Sequence, residues 1–122
     1  MSDSRILVVD DDFVIRVLLE SRLNMDGFQA IGAPDGESAL SKICAFSFDL
    51  IILDIIMPVM DGWELLKIIR NDPVTENTPV ILLSAKNSCK DKMIGKDILR
   101  ANEFFTKPFD LKELICAVRR LC

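Results

Sequence analysis

Short apolar runs alternate with stretches of helical periodicity along the whole chain, and this alternation restricts it to an α/β architecture. Ile6–Val9 is aliphatic with no polar alternation, the pattern of a strand buried on both faces. Ile15, Leu18, Leu19 and Leu23 then recur at helical spacing, and Gly27 stops that helix. Phe28–Ala33 is a second, weaker strand, and Asp35-Gly36 opens a helix expected to bury Leu40, Ile43 and Cys44. Leu50–Leu53 is the most apolar run and is therefore expected at the centre of the sheet. Asp61-Gly62-Trp63-Glu64 has the cap residue and third-position acid of a capping box, before a helix expected to bury Leu65, Ile68 and Ile69. Asp72-Pro73 ends that helix and Val74–Thr78 is a polar loop. Val80–Leu83 is the fourth strand, with Pro79 at its entrance, where no ladder donor is needed. Residues 89–99 read as a helix, Glu103–Thr106 as the fifth strand, and Asp110-x-x-Glu113 caps a last helix carrying Leu111, Leu114, Ile115 and Val118 on one face. Five strands and five helices in strict alternation predict a parallel sheet with helices on both faces and right-handed crossovers.

A parallel sheet collects the carboxyl ends of its strands along one edge, and ligands bind in the crevice beyond that edge. Asp10, Asp11 and Asp12 follow the first apolar run, Asp54 the third, Ser84 the fourth and Lys107 the fifth. Carboxylates crowded together repel unless a cation sits among them. The simplest account is a divalent-metal site with one lysine beside it, suited to a phosphoryl group. Asp12 is expected to cap the first helix rather than bind metal.

Composition narrows the classes further. The 122 residues suffice for one domain, expected to span 1–122, and half of them are hydrophobic, enough for a packed core. The net charge of −4 argues against direct nucleic-acid binding. Residues 1–64 carry 4 basic and 12 acidic side chains, net −8, and hold the expected metal ligands; residues 65–122 carry 11 and 7, net +4. Cys44, Cys89, Cys116 and Cys122 lack C-x-x-C spacing and the chain has no histidine, which disfavours structural zinc and predicts free thiols in a reducing compartment. No signal-like or membrane-spanning run is present, so the expected setting is cytoplasmic, without membrane association.

Five fragments together resemble the receiver domains of two-component response regulators. They are Val8-Val9-Asp10-Asp11, Leu53-Asp54-Ile55-Ile56-Met57-Pro58, Asp61-Gly62, Leu83-Ser84-Ala85 and Thr106-Lys107-Pro108-Phe109. Each fragment is weak alone; in this order and at these separations they are specific, and the resemblance covers the whole chain. It implies a flavodoxin-like sheet of order 2-1-3-4-5, an order for which the chemotaxis receiver is a standard example. It implies that Asp54 is the phosphoacceptor, and that Asp10, Asp11, Asp54 and the backbone carbonyl of Ile56 hold Mg2+, in part through water. It implies that Ser84 contacts the phosphoryl group, Lys107 pairs with it, and Phe104 is the aromatic switch residue that moves when the hydroxyl does. Lys107-Pro108 resembles the family's cis peptide. The implied partners are a histidine kinase or histidine phosphotransfer protein as donor and a downstream target whose identity the sequence does not give.

The sequence departs from the family in three places, the first being Asp12, the third consecutive acid, expected to cap the first helix. Arg100-Ala101 stands where relatives often have Gly-Ala, so arginine either carries strain in a left-handed geometry or the cap differs. The stretch from Ser84 to Lys107 is about one residue longer than usual, and it is basic, with Lys86, Lys90, Lys92, Lys96 and Arg100 forming either a solvated helix face or a surface for an acidic partner. Cys116 is expected on the solvent side of the last helix.

Two other classes fit less well. A Mg-dependent phosphohydrolase of haloacid dehalogenase type also uses an aspartate nucleophile, but places Asp-x-Asp on its first strand and usually carries a cap domain, for which 122 residues leave no length. A flavodoxin-like cofactor module needs a hydroxyl- or glycine-rich phosphate loop where this chain has three acids. The chain ends without an effector segment, so it is expected either to act alone or to be one domain of a longer protein.

Overall fold

The computed structural model describes residues 4–57, 59–84 and 100–122. The helix expected over 89–99, with Cys89, Lys86, Lys90, Lys92 and Lys96, lies outside the described residues, as do Pro58 and Ala85.

Five strands form one sheet: β1 (Arg5–Val9), β2 (Gln29–Ala33), β3 (Leu50–Asp54), β4 (Val80–Ser84) and β5 (Glu103–Thr106). Their order is β2-β1-β3-β4-β5 and every pair is parallel, a doubly wound five-stranded sheet as expected. β3 is central and buried at each position, which is why its sequence shows no alternation. The described helices are α1 (Phe13–Met25), α2 (Gly36–Ala45), α3 (Gly62–Asn71) and α4 (Leu111–Leu121).

Alternation along each strand sorts the core into two layers. Leu7, Val9, Ile51, Leu53, Val80 and Leu82 pack with Leu65, Leu66 and Ile69 of α3 and Ala39 of α2. Ile6, Val8, Leu50, Ile52, Ile81 and Leu83 pack with Leu19 and Leu23 of α1 and Leu114, Ile115 and Val118 of α4. Each described helix begins at an aspartate cap: Asp12, Asp35, Asp61 and Asp110 accept from backbone N–H groups of the first turn. Gly27, at φ 96°, takes the left-handed conformation that closes α1.

Three burial expectations fail for one geometric reason. Cys44 and Ile68 are exposed rather than buried, and Leu18, expected in the apolar stripe of α1, is 46% exposed. Each lies roughly 100° around its helix from the centre of the buried stripe, which is set by Gly36, Ala39 and Ile43 in α2, by Gly62, Leu65, Leu66 and Ile69 in α3, and by Leu19 and Leu23 in α1. Cys116 is exposed, as expected.

Candidate phosphoacceptor and metal site

The strand register brings the polar residues together. Val9 lies beside Leu53, Asp54 beside Leu83, and Ser84 beside Thr106. Asp10 therefore leaves the sheet beside Asp54, and Lys107 leaves it just past Ser84, whose carbonyl accepts from Lys107 N at 2.6 Å. Carboxylate oxygens of Asp10, Asp11 and Asp54 lie within 4.8 Å of one another. Asp10 and Asp54 are buried, whereas Asp11 is exposed.

Asp10 is held at every polar atom. Its N–H donates to Ala33 O at 3.2 Å, its Oδ1 accepts from Asp12 N at 2.9 Å, and its Oδ2 accepts from Lys107 Nζ at 2.9 Å. Its carbonyl accepts from Arg16 Nη1 at 2.8 Å, while the Arg16 guanidinium lies over the Phe13 ring, 5.5 Å from its centroid, within reach of a cation–π contact. Sequence reasoning passed over Arg16; its signal is a cation one helical turn after the Asp12 cap, on the helix that follows the acidic run.

Asp54 Oδ2 stands 3.4 Å from Lys107 Nζ, and its Oδ1 accepts from Ile56 N at 3.4 Å. Burial and the neighbouring Asp10 charge push its pKa from 3.8 up to about 6, against the opposing pull of Lys107. Burial disfavours the Lys107 charge, but hydrogen bonds and charge from Asp10 and Asp54 outweigh it and raise the ammonium pKa. The two shifts describe one cluster short of positive charge. An all-oxygen donor set with crowded carboxylates fits a hard divalent cation such as Mg2+, which takes about six oxygen ligands and keeps some as water. Asp11, open to solvent, gives such an ion access.

The remaining expected residues surround this cluster. Ser84 is 2% exposed at the end of β4. The Ile56 side chain is 59% exposed, so only its backbone is available to the site. Phe104 is half-buried against the core layer containing Leu82. The Lys107-Pro108 peptide is cis. Asp12 caps α1 through hydrogen bonds from Val14 N and Ile15 N, as expected. Gly62 is obligatory for close approach, because a Cβ there would collide with the carbonyl oxygen of Asp54. Among the described residues no helix is long and apolar enough to cross a membrane.

Comparison with known proteins places the chain. The response regulator receiver domain matches residues 6–119. The transcriptional regulatory protein CpxR of Escherichia coli is 41% identical over 118 residues, covering 97% of this chain and 49% of CpxR. The chain thus spans about half the length of the CpxR-type relatives it matches. Among solved structures, the chemotaxis protein CheY4 of Vibrio cholerae superposes with a TM-score of 0.91 at 34% identity, covering 98% of each chain. The response regulator TrrA of Thermotoga maritima, solved in complex with Mg2+ and BeF, superposes with a TM-score of 0.83 at 36% identity over 98% of this chain and all of that one. The fold, the carboxylate cluster and these matches agree: the chain belongs to the response regulator receiver domains, phosphoacceptor switches that work with Mg2+.

Proposed function

We propose that Asp54 accepts the phosphoryl group and that residues 1–122 form a single receiver domain. One observation carries the assignment: Lys107 Nζ reaches Asp10 at 2.9 Å and Asp54 at 3.4 Å, so metal ligand, acceptor and phosphate-pairing cation meet at one point. Asp10, Asp11, Asp54 and the Ile56 carbonyl would hold Mg2+, which supplies charge neutralisation for the incoming phosphoryl oxygens. An Asp54 carboxylate oxygen attacks phosphorus in line, the donor's P–N bond breaks, and its electron pair stays on the departing imidazole, which takes up a proton. Lys107 supplies a point charge to the transferred group, and the Ser84 hydroxyl contacts one of its oxygens. Phe104 responds to Ser84 and alters the partner-binding surface.

The donor is a histidine kinase or histidine phosphotransfer protein in the cytoplasm, and the output is a downstream protein or effector domain. Phe13, Val14, Ile56 and Val59, exposed in the segments that follow Asp12 and Asp54, offer apolar surface for a donor to cover.

Acetyl phosphate tests the chemistry without a partner. With Mg2+ the intact mass should rise by one phosphoryl unit, and hydroxylamine should remove it, as it does an acyl phosphate. Asp54→Asn should remain unmodified; full modification of that variant moves the acceptor elsewhere.

A further inference from the structure

At the opposite pole of the sheet from Asp54, where β4 and β5 begin, two arginines share one cavity. Arg70, half-buried at the end of α3, donates through Nη1 to Thr78 O at 2.8 Å and Glu76 O at 3.2 Å, and through Nη2 to Arg100 O at 3.0 Å. It thereby ties the loop before β4 to the entry of β5. Arg100 lies at φ 58°, the left-handed region that resists any Cβ. This settles the alternative left open by the sequence: arginine accepts the strained geometry where glycine would be at ease. Strain held at a surface position points to a function for the side chain.

The surroundings of that side chain define one. Arg70 and Arg100 are close enough that Arg100's charge, after burial, lowers the pKa of the Arg70 guanidinium. The Arg100 side chain makes no salt bridge with a described residue; its one hydrogen bond among them is from Nη2 to Glu76 O at 3.5 Å, a long contact. Asn102 Oδ1 accepts from Val80 N at 2.9 Å, which fixes the amide and commits Nδ2 to the role of donor. Arg70, Glu76, Asn77, Arg100 and Asn102 line an open cavity of about 200 Å³. Among the described lining residues two guanidinium groups stand against one carboxylate.

We propose that this cavity binds a phosphate-class oxyanion, held by the Arg100 guanidinium and the Asn77 and Asn102 amides over the charge of Arg70. Planar N–H forks matched to oxyanions are what arginine provides and lysine does not. A tetrahedral dianion spreads more oxygens over the fork and both amides than a planar monocarboxylate does, and carries twice its charge. The site is separate from the phosphoacceptor, and nothing in it depends on Mg2+.

Inorganic phosphate is the probe. It is titrated into 15N-labelled protein at constant ionic strength, without divalent metal, so that the acidic cluster at Asp54 repels it. Backbone amides of Asn77, Arg100 and Asn102 should shift and saturate, with acetate at least about tenfold weaker. Arg100→Gly should weaken phosphate about tenfold or more while keeping the fold, because glycine occupies the left-handed backbone freely. Arg100→Gln keeps a side chain at the position and should weaken binding likewise. Unchanged affinity in either variant, or shifts that fail to saturate and spread over many basic residues, overturns the proposal.

Discussion

Lys107 is bound more closely to Asp10 than to Asp54, at 2.9 Å against 3.4 Å. The cation assigned to phosphate thus begins as the partner of a metal ligand. Its ammonium neutralises part of the charge that a divalent ion would otherwise neutralise. Removing it with Lys107→Met should therefore tighten Mg2+ binding several-fold, by roughly the factor of 3–10 expected of one unscreened charge near a site. Asp11→Ala should abolish binding. Trp63, half-buried in the first turn of α3 just after the Asp61 cap, offers a fluorescence readout. An Asp11→Ala protein that binds Mg2+ like the parent removes Asp11 from the ligand set.

Asp54 sets a pH dependence. Its folded pKa of about 6 exceeds the unfolded value near 3.8, so the native state holds the proton more tightly. Between those values the native state binds more protons than the unfolded state, and stability falls as pH rises through that window. Asp54→Asn cannot ionise, so its stability relative to the parent should increase from pH 4 to pH 7, by on the order of 2 kcal/mol. Urea denaturation at both pH values measures it, and Mg2+ should shrink the difference at pH 7. A constant gap across the two pH values shows that Asp54 ionisation is not costly in the folded protein.

Arg16 should matter to the same loop through a backbone contact. Its charged 2.8 Å hydrogen bond to the Asp10 carbonyl is partly buried, whereas Arg22 makes a 3.5 Å pair with Asp26 on the surface of the same helix. A charge-assisted hydrogen bond contributes about 1.5–3 kcal/mol and an exposed ion pair about 0–1. Arg16→Met should therefore cost more stability in urea than Arg22→Met, by about 1 kcal/mol. Equal losses would show that the Asp10 contact adds nothing beyond a surface charge.

The sequence made the strands legible because each central strand is buried on both faces, leaving an unbroken aliphatic run such as Leu50–Leu53. The site was legible because its side chains follow those runs directly: Asp10 after Val9, Asp54 at the end of β3, Lys107 after Thr106. Helix faces were less legible. The apolar pattern of α3 includes both Ile68 and Ile69, and only packing against the sheet selects Ile69. Arg16 was missed because its partner is a backbone carbonyl, which has no residue type to recognise. Val59, at φ 69° and 96% exposed, has no warning in sequence either, since β-branched residues rarely adopt that conformation.

Ser84 and Phe104 should form the switch. Leu82 pairs in register with Phe104 and Ser84 with Thr106, and Leu82 and Phe104 belong to the same core layer. Alternation then puts Ser84 and Phe104 on one face of the sheet, on neighbouring strands and two residues apart along them. A hydroxyl drawn toward the phosphoryl group vacates space on that face, and the half-buried ring can fill it. Phenylalanine has no hydroxyl to satisfy in either position, so apolar burial and packing alone set its preference. Inward and outward states can then differ by only ~1–2 kcal/mol, a gap that phosphorylation can bias. Ser84→Ala should still allow Asp54 to be phosphorylated, more slowly, while weakening the spread of the change to β5 and α4. Amide shifts measured with beryllofluoride in place of the phosphoryl group read this directly. In the parent, residues 100–118 should shift; in Ser84→Ala, the shifts should stay near Asp54 and Lys107. Equal movement of residues 100–118 in both proteins would show that Phe104 does not answer to Ser84.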